Sequence, residues 1–217
     1  MGIYELSLAT VVGINIILAV GLNLITGFCG QISLGHAAFY GIGAYTAALM
    51  AKAGLPGPIN LVAAMIMAGA AGVLVGITSL RVREDFLAIT TMDVGFLFLG
   101  IVRQQESLLG GEMGISSIPT FGLGKTGFLV LVLALAGLAS AFSLYIKKSW
   151  MGFAFEAVAD DEDTARALSV DVPAYKLAAF ALGTSLAGLA GGLYCYFARF
   201  IVPDDFGFIT SISVLSM

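Results

Sequence analysis

The chain has 217 residues, of which 59% are hydrophobic and only 11% charged, and its mean hydropathy is +1.00. Soluble domains carry about 25% charged residues, so this composition excludes an ordinary soluble protein and points to an integral membrane protein. A net charge of −4 without a basic stripe excludes a nucleic-acid footprint, because there are no clustered cations to displace counterions from phosphates.

The 28 glycines suit membrane helices that pack closely through small residues. Cys29 and Cys195 lie in or beside apolar runs, with neither metal nor disulfide spacing, and read as buried thiols. The first six residues carry no Lys or Arg, and no small-residue cleavage site follows the first apolar run. No cleaved secretory signal is therefore expected.

Runs long enough to cross a bilayer, which takes roughly 20 residues, recur along the chain. The first is about Leu6 to Phe28, and after a break at Gly30-Gln31-Ile32-Ser33 a second runs from Leu34 to about Ala51. Lys52 to Pro58 is a Gly/Pro turn before a third run, Ile59 to about Ser79, and a charged hinge, Arg81-Val82-Arg83-Glu84-Asp85, precedes the less uniform fourth, Phe86 to Val102. A polar, Gly-rich connection from Gln104 to Thr126 leads to the fifth, Phe128 to Ile146. The sixth is Leu177 to Phe197, and from Phe206 the chain turns apolar again, as the start of a seventh that reads as C-terminally incomplete. The expected fold is all-α, a polytopic transmembrane helical bundle of about six spans plus that start, forming one domain over residues 1–217.

Between the fifth and sixth spans lies the only long polar segment, Lys147 to Lys176, which holds six of the 14 acids: Glu156, Asp160, Asp161, Glu162, Asp163 and Asp171. A segment so charged cannot sit in hydrocarbon. Asp160 is placed to cap a short helix whose first turn holds Asp161, Glu162 and Asp163, with Arg166 towards its other end, where the dipole favours a cation. Ala165, Leu168 and Val172 follow at helical spacing and predict an apolar face opposite the charged one. The segment, residues 148–175, reads as a docking element for another protein. If it is cytoplasmic, Arg81, Arg83, Lys147, Lys148, Arg166 and Lys176 lie inside and Lys52, Arg103, Lys125 and Arg199 outside, which places the N-terminus outside.

Gly124-Lys125-Thr126 resembles the end of a phosphate-binding loop, but Pro119 stands where that pattern needs glycine and no strand precedes it. No HExxH, Cys/His cluster or GxSxG elbow occurs, so no catalytic residue, metal ligand or cofactor is expected, and the chain does not read as an enzyme. His36 lies near the start of the second span, where glycines 27, 30 and 35 let the backbone bend or unwind. It is either a helix-end histidine bonded to a carbonyl or part of a pathway, since non-helical backbone within a membrane must be buried by protein or line a cavity. Asp93, midway along the fourth span, is neutral, paired across helices, wetted by a path, or nearer the surface than hydropathy implies. Asn15 and Asn23 read as interhelical hydrogen-bonding residues, and the pairs Gly72/Gly76 and Gly188/Gly192 as packing positions.

The run Gly21-Leu22-Asn23-Leu24, then Gly27, then Gly30 to Leu49, resembles the signature of the permease subunits of branched-chain amino-acid ABC importers, the LivM-like branch. The resemblance continues through Leu80-Arg81-Val82-Arg83, Asp85 to Ile89, Gly110-Gly111, Gly114-Ile115, Ile118-Pro119, the segment Ser149 to Lys176, and the sixth span to Pro203-Asp204. It implies a multi-pass protein of the cell (inner) membrane that forms a translocation path with a second permease subunit. Two cytoplasmic ATPase subunits would drive it, a periplasmic or extracellular substrate-binding protein would deliver branched-chain or related amino acids, and membrane lipid would surround it. It further implies an ATPase-coupling role for the polar segment, with Phe155, Glu156, Asp160, Asp161, Ala165, Arg166 and Leu168 as coupling residues, Ala165 and Leu168 anchoring the segment in an ATPase groove. The translocation-path candidates are Asn23, Gln31, Ser33, His36 and Asp93. The chain departs from the family pattern at Phe155 to Ala159, where a basic stretch is usual, at Ser169, where glycine is usual, and at Asp93, slightly ahead of a usual glutamate. Two other readings remain open from the residues: an ion-coupled secondary transporter working through Asp93 or His36, and a truncated permease fragment that does not transport.

Overall fold

In a bilayer the backbone has no water to bond with, so a spanning segment closes its own N–H···O=C bonds as a helix. The structure, a computed structural model, describes residues 2–79 and 84–217. The described residues form ten α-helices: α1 (Ile3–Leu22), α2 (His36–Lys52), α3 (Gly57–Ser79), α4 (Glu84–Gln104), α5 (Glu106–Leu109), α6 (Lys125–Lys148), α7 (Trp150–Asp160), α8 (Glu162–Ala167), α9 (Val172–Ala198) and α10 (Phe208–Leu215). A π-helical turn, Asn23–Phe28, extends α1. Arg81-Val82-Arg83 of the expected hinge, and Leu80 before it, lie outside the described residues.

The all-α membrane bundle is as expected, but the count of spans is lower. Among the described residues, five segments are long and apolar enough to cross: Tyr4–Phe28, Gly57–Thr78, Leu87–Gln104, Lys125–Lys148 and Val172–Ala198. The expected second span is only 17 residues of helix, about 25 Å against a hydrocarbon core of about 30 Å. It falls short because residues 29–35 are not helical, so the chain enters the bundle as irregular backbone before α2 begins. The expected seventh is the eight-residue α10. The sixth starts five residues earlier than hydropathy placed it, because Asp171 Oδ1 accepts the Ala174 N–H at 3.2 Å and Pro173 sits in the first turn.

Helix α9 is the axis of the bundle, packed by α1, α2, α3 and α7, and 67% of its apolar window is buried. Small residues make this possible. A Cβ on Gly188 would strike the Ala64 carbonyl and Ala68 of α3, one on Gly43 would strike the backbone of Gly188, and one on Gly72 would strike Thr184. The two glycine pairs singled out in the sequence therefore pack the same α3–α9 interface from opposite sides. Helix α2, with 12 of its 17 residues buried, fills the space between α3 and α9, as a helix apolar all round must. Alongside the middle of α2, Phe206 lies edge-on to Tyr40, Tyr45, Phe98 and Tyr194. The Ile115–Ile201 bridge and the Arg103–Asp204 ion pair (2.7 Å) tie the loop after α4 to the loop after α9.

Gly188→Ala is expected to lower unfolding stability in detergent by about 1–3 kcal/mol through overpacking. Gly137→Ala on α6, where a Cβ meets open space, should leave it unchanged or raise it by up to about 1 kcal/mol. Matching unfolding midpoints for the two variants would contradict this account of the α3–α9 contact.

Candidate functional site

The break between α1 and α2 buries Cys29, Gln31, Ser33 and Gly35 and leaves Gly30 and Ile32 exposed, and several of its polar groups are satisfied piece by piece. The Gln31 N–H donates to the Ile25 carbonyl (3.1 Å), and Thr26 Oγ1 donates to the Gln31 carbonyl (3.0 Å). The Leu34 N–H donates to Thr91 Oγ1 of α4 (3.0 Å), and the Ala37 N–H at the start of α2 donates to Ser211 Oγ of α10 (3.1 Å). Gly35 lies so close to α4 that a Cβ would overlap the Thr91 carbonyl. By its end the segment is beside Leu18 of α1, ten residues before Phe28 and so about 15 Å along the helix. Gln31 is 3% exposed, and Ser33 and His36 are fully buried. The His36 imidazole approaches the Leu18 carbonyl, and among the described residues neither ring nitrogen makes a well-formed hydrogen bond and Ser33 Oγ has no partner. Buried polar atoms left this way are rare and mark a place for water or a polar group of a ligand.

The other end of the break rests on the polar segment. Gln31 Nε2 donates to the Lys176 carbonyl at the start of α9 (3.2 Å) and to Cys29 Sγ (3.3 Å). Gly30 takes φ +71° and presses its backbone on Ala159 of α7, where a Cβ would lie 3.1 Å from the alanine methyl. Only glycine meets both demands without strain. Lys147 Nζ stands 5.9 Å from the centre of the Phe28 ring, which adds a cation–π contact at the same junction.

Within the polar segment, Asp161 caps α8. Its carboxylate accepts the Asp163 N–H (2.9 Å), the Thr164 N–H (3.4 Å) and the Thr164 hydroxyl (2.7 Å). The Thr164 hydroxyl, followed by the two amides, holds the carboxyl below its usual range. Arg166 pairs with Glu162 (3.0 Å) and Asp163 (3.1 Å), and Glu162 also pairs with the sheltered Lys176, so α8 is clamped to the first turn of α9. No group of three His, Cys, Asp or Glu among the described residues could hold a metal ion.

Asp93 projects from α4, the least covered span, where only 17% of the apolar window is buried. It shares an exposed groove with Phe96, Leu97, Gly100, Ile101 and Gln104. A carboxylate midway along a span faces lipid only at a large penalty.

A sequence model of the family described as branched-chain amino acid transport system / permease component matches residues 4–217. The chain belongs to this permease family. It is 35% identical over 240 residues to the high-affinity branched-chain amino acid transport system permease protein LivM of Escherichia coli K12, covering 97% of this chain and 56% of that protein. The LivM of Salmonella typhimurium is 34% identical over 243 residues, 98% of this chain and 57% of the relative. A probable LivM of Methanocaldococcus jannaschii is 28% identical over 155 residues, 67% of this chain and 45% of the relative. The chain thus spans a little over half the length of the first two relatives. No solved structure matches it significantly. The permease is a multi-pass membrane protein of the inner membrane, and nothing in these comparisons favours an ion-coupled transporter.

Three sequence expectations for the permease change at residue level. The cap of α8 is Asp161 and not Asp160, which ends α7, because Asp161 takes the extended backbone (φ −162°, ψ 112°) that lets its carboxylate reach back. Ala165 does not form an outward apolar face with Leu168: it is 1% exposed, whereas Leu168 stands 73% exposed just past the end of α8. Phe155 is fully buried, edge-on to Tyr175, while Glu156 is exposed. Asn23 is exposed at the start of the π-helical turn, its Oδ1 filling the place of a Gly27 Cβ, and it stands apart from Gln31, Ser33 and His36. Ser169, where the resemblance expects glycine, has φ +65°, the region glycine favours. Thr91, Ser211 and Ala159 were not foreseen. Thr91 had a signal, a hydroxyl inside an apolar run, whereas the other two gain meaning only from what they touch.

The Asp161 cap is expected to be pH-dependent. A lowered folded-state pKa means its contribution is present above the ordinary carboxylate value and lost as pH falls through the still lower folded value. Asp161→Ala should speed amide exchange at Asp163 and Thr164 at neutral pH, and Asp161→Asn should largely spare it. Equal exchange in all three proteins would refute the cap.

Proposed function

We propose that this chain is the membrane-embedded permease part of an ATP-driven importer for branched-chain or related amino acids, forming its path with a second permease subunit. ATP hydrolysis falls to two cytoplasmic ATPase subunits, and a binding protein on the opposite side delivers substrate. The observation that carries this reading is the direct contact of the broken span with the polar segment: Gly30 on Ala159 and Gln31 on the Lys176 carbonyl. The reading also draws on the relatives named as branched-chain amino acid transport permeases.

In this mechanism α7 and α8 form the ATPase-facing surface. Leu168 supplies the apolar contact, with Glu156, Asp160 and Arg166 around it and Asp161 holding α8 in shape. Phe155 and Ala165 work from beneath, as the packing that makes α7, α8 and α9 move as one body. Displacement of that body shifts Gly30 and Gln31, and with them Ser33 and His36, whose unpartnered polar atoms line the path. Asp93 on α4 faces the same path. Residues 148–175 are the coupling element of the single permease domain. Such coupling requires the ATPase to contact α7–α8 differently in its nucleotide-bound and open states.

Co-purification of the full-length permease from its native membrane tests the reading. Leu168→Asp is expected to leave the unfolding midpoint unchanged and to abolish recovery of the ATPase subunits. Ala165→Asp should instead lower the midpoint, because it buries an unpaired carboxylate. Full ATPase recovery with Leu168→Asp would overturn the docking assignment, and recovery of no ATPase by the unaltered protein would overturn the importer reading.

A further inference from the structure

A cavity of about 520 Å³ opens between the start of α1, the start of α6 and the end of α9, at the end of the bundle opposite the polar segment. Its volume is that of a small-molecule site, for which about 300–1,000 Å³ is usual. Phe121, Phe128 and Phe197 wall it, and Lys125 and Arg199 bring two cations from separate elements. No carboxylate lines it, and among the described residues neither cation has an ion pair.

Arg199 is held in place rather than left loose. It takes φ +59°, uncommon for a residue with a side chain. Its N–H donates to the Cys195 carbonyl (2.9 Å), its carbonyl accepts the Ile118 N–H (3.3 Å), and two residues on, Ile201 bridges to Ile115. Arg199 is the left-handed C-cap of α9, and this turn, tied on both sides, fixes the backbone from which the exposed guanidinium projects at the cavity.

We propose that this cavity binds the phosphate of an anionic phospholipid, with Lys125 and Arg199 on the phosphate and the first part of the acyl chain against the three phenylalanines. Two cations and no carboxylate favour an anion over an amino-acid zwitterion, whose ammonium would meet only the hydroxyls of Ser7, Thr10 and Thr120 and the aromatic faces. The phenylalanine walls and the position at the membrane end of three helices favour a lipid over a soluble anion. Guanidinium and ammonium groups are the usual partners of phosphate, and aromatic rings suit the boundary between headgroup and chain.

Native mass spectrometry of the full-length permease, titrated with phosphatidylglycerol or phosphatidylcholine of identical chains, tests this. Phosphatidylglycerol is expected to bind with at least about tenfold preference, and Lys125→Gln and Arg199→Gln should each remove about tenfold of its affinity while Lys125→Arg retains it. Glycerol phosphate at the same concentration should not displace the lipid. Equal binding of both lipids, unaltered affinity in both glutamine variants, or displacement by glycerol phosphate would each overturn the proposal. If a glutamine variant fails to fold, the lipid preference and the glycerol phosphate competition of the unaltered protein still decide.

Discussion

Every N–H and C=O inside a bilayer needs a partner, and this fold is arranged around the one stretch where a helix does not supply them. Between Phe28 and His36 the chain runs into the bundle without helical bonds, and three hydroxyl side chains and one backbone carbonyl from other places complete part of the work. Thr26, Thr91, Ser211 and the body carrying Lys176 each answer one part of the break. Such backbone is tolerated at membrane depth where protein covers it, and here Thr91 of α4 and Ser211 of α10 cover Leu34 to Ala37 while Gly30 and Ile32 stay exposed. The close contacts of Gly43 with Gly188 and of Gly35 with Thr91 follow from the same demand, since larger residues would hold the covering helices too far away.

That arrangement joins two regions with different chemistry. The polar segment is a rigid set of short helices, clamped by Glu162 to both Arg166 and Lys176 and supported from within by Phe155. The break ends at Ser33 and His36, where buried polar atoms lack partners. Gly30 and Gln31 lie between them and touch both. The glycine makes no side-chain bond, so its part in the proposed joint is steric: a displacement of α7 would be felt through the close approach of Ala159. Helices that pack closely shift between discrete arrangements more readily than they deform, which suits a joint of this kind.

Much of this was legible in the sequence, and the misses have physical causes. Apolar runs located the long helices, because hydropathy and length govern insertion. The same measure counted α2 as an ordinary span, since Leu34 and Gly35 are no less membrane-compatible in irregular backbone than in a helix. The glycines at 27, 30 and 35 signalled unwinding, and the structure gives at least two of them a definite neighbour, Ala159 and Thr91. At the polar segment the composition pointed to a short capped helix, but Asp160, Asp161, Glu162 and Asp163 are chemically similar, and which of them caps depends on one ψ angle. Helical spacing put Ala165 and Leu168 on one face. The chain leaves the helix at Leu168, so the spacing rule stops applying one residue too soon.

The central claim is that the break moves with the polar segment. Hydrogen–deuterium exchange of the assembled transporter, compared between nucleotide-free and ATP-trapped states, tests it most directly. The account predicts that protection changes together in residues 29–37 and 150–176. A change confined to 150–176, with 29–37 exchanging identically in both states, would contradict it.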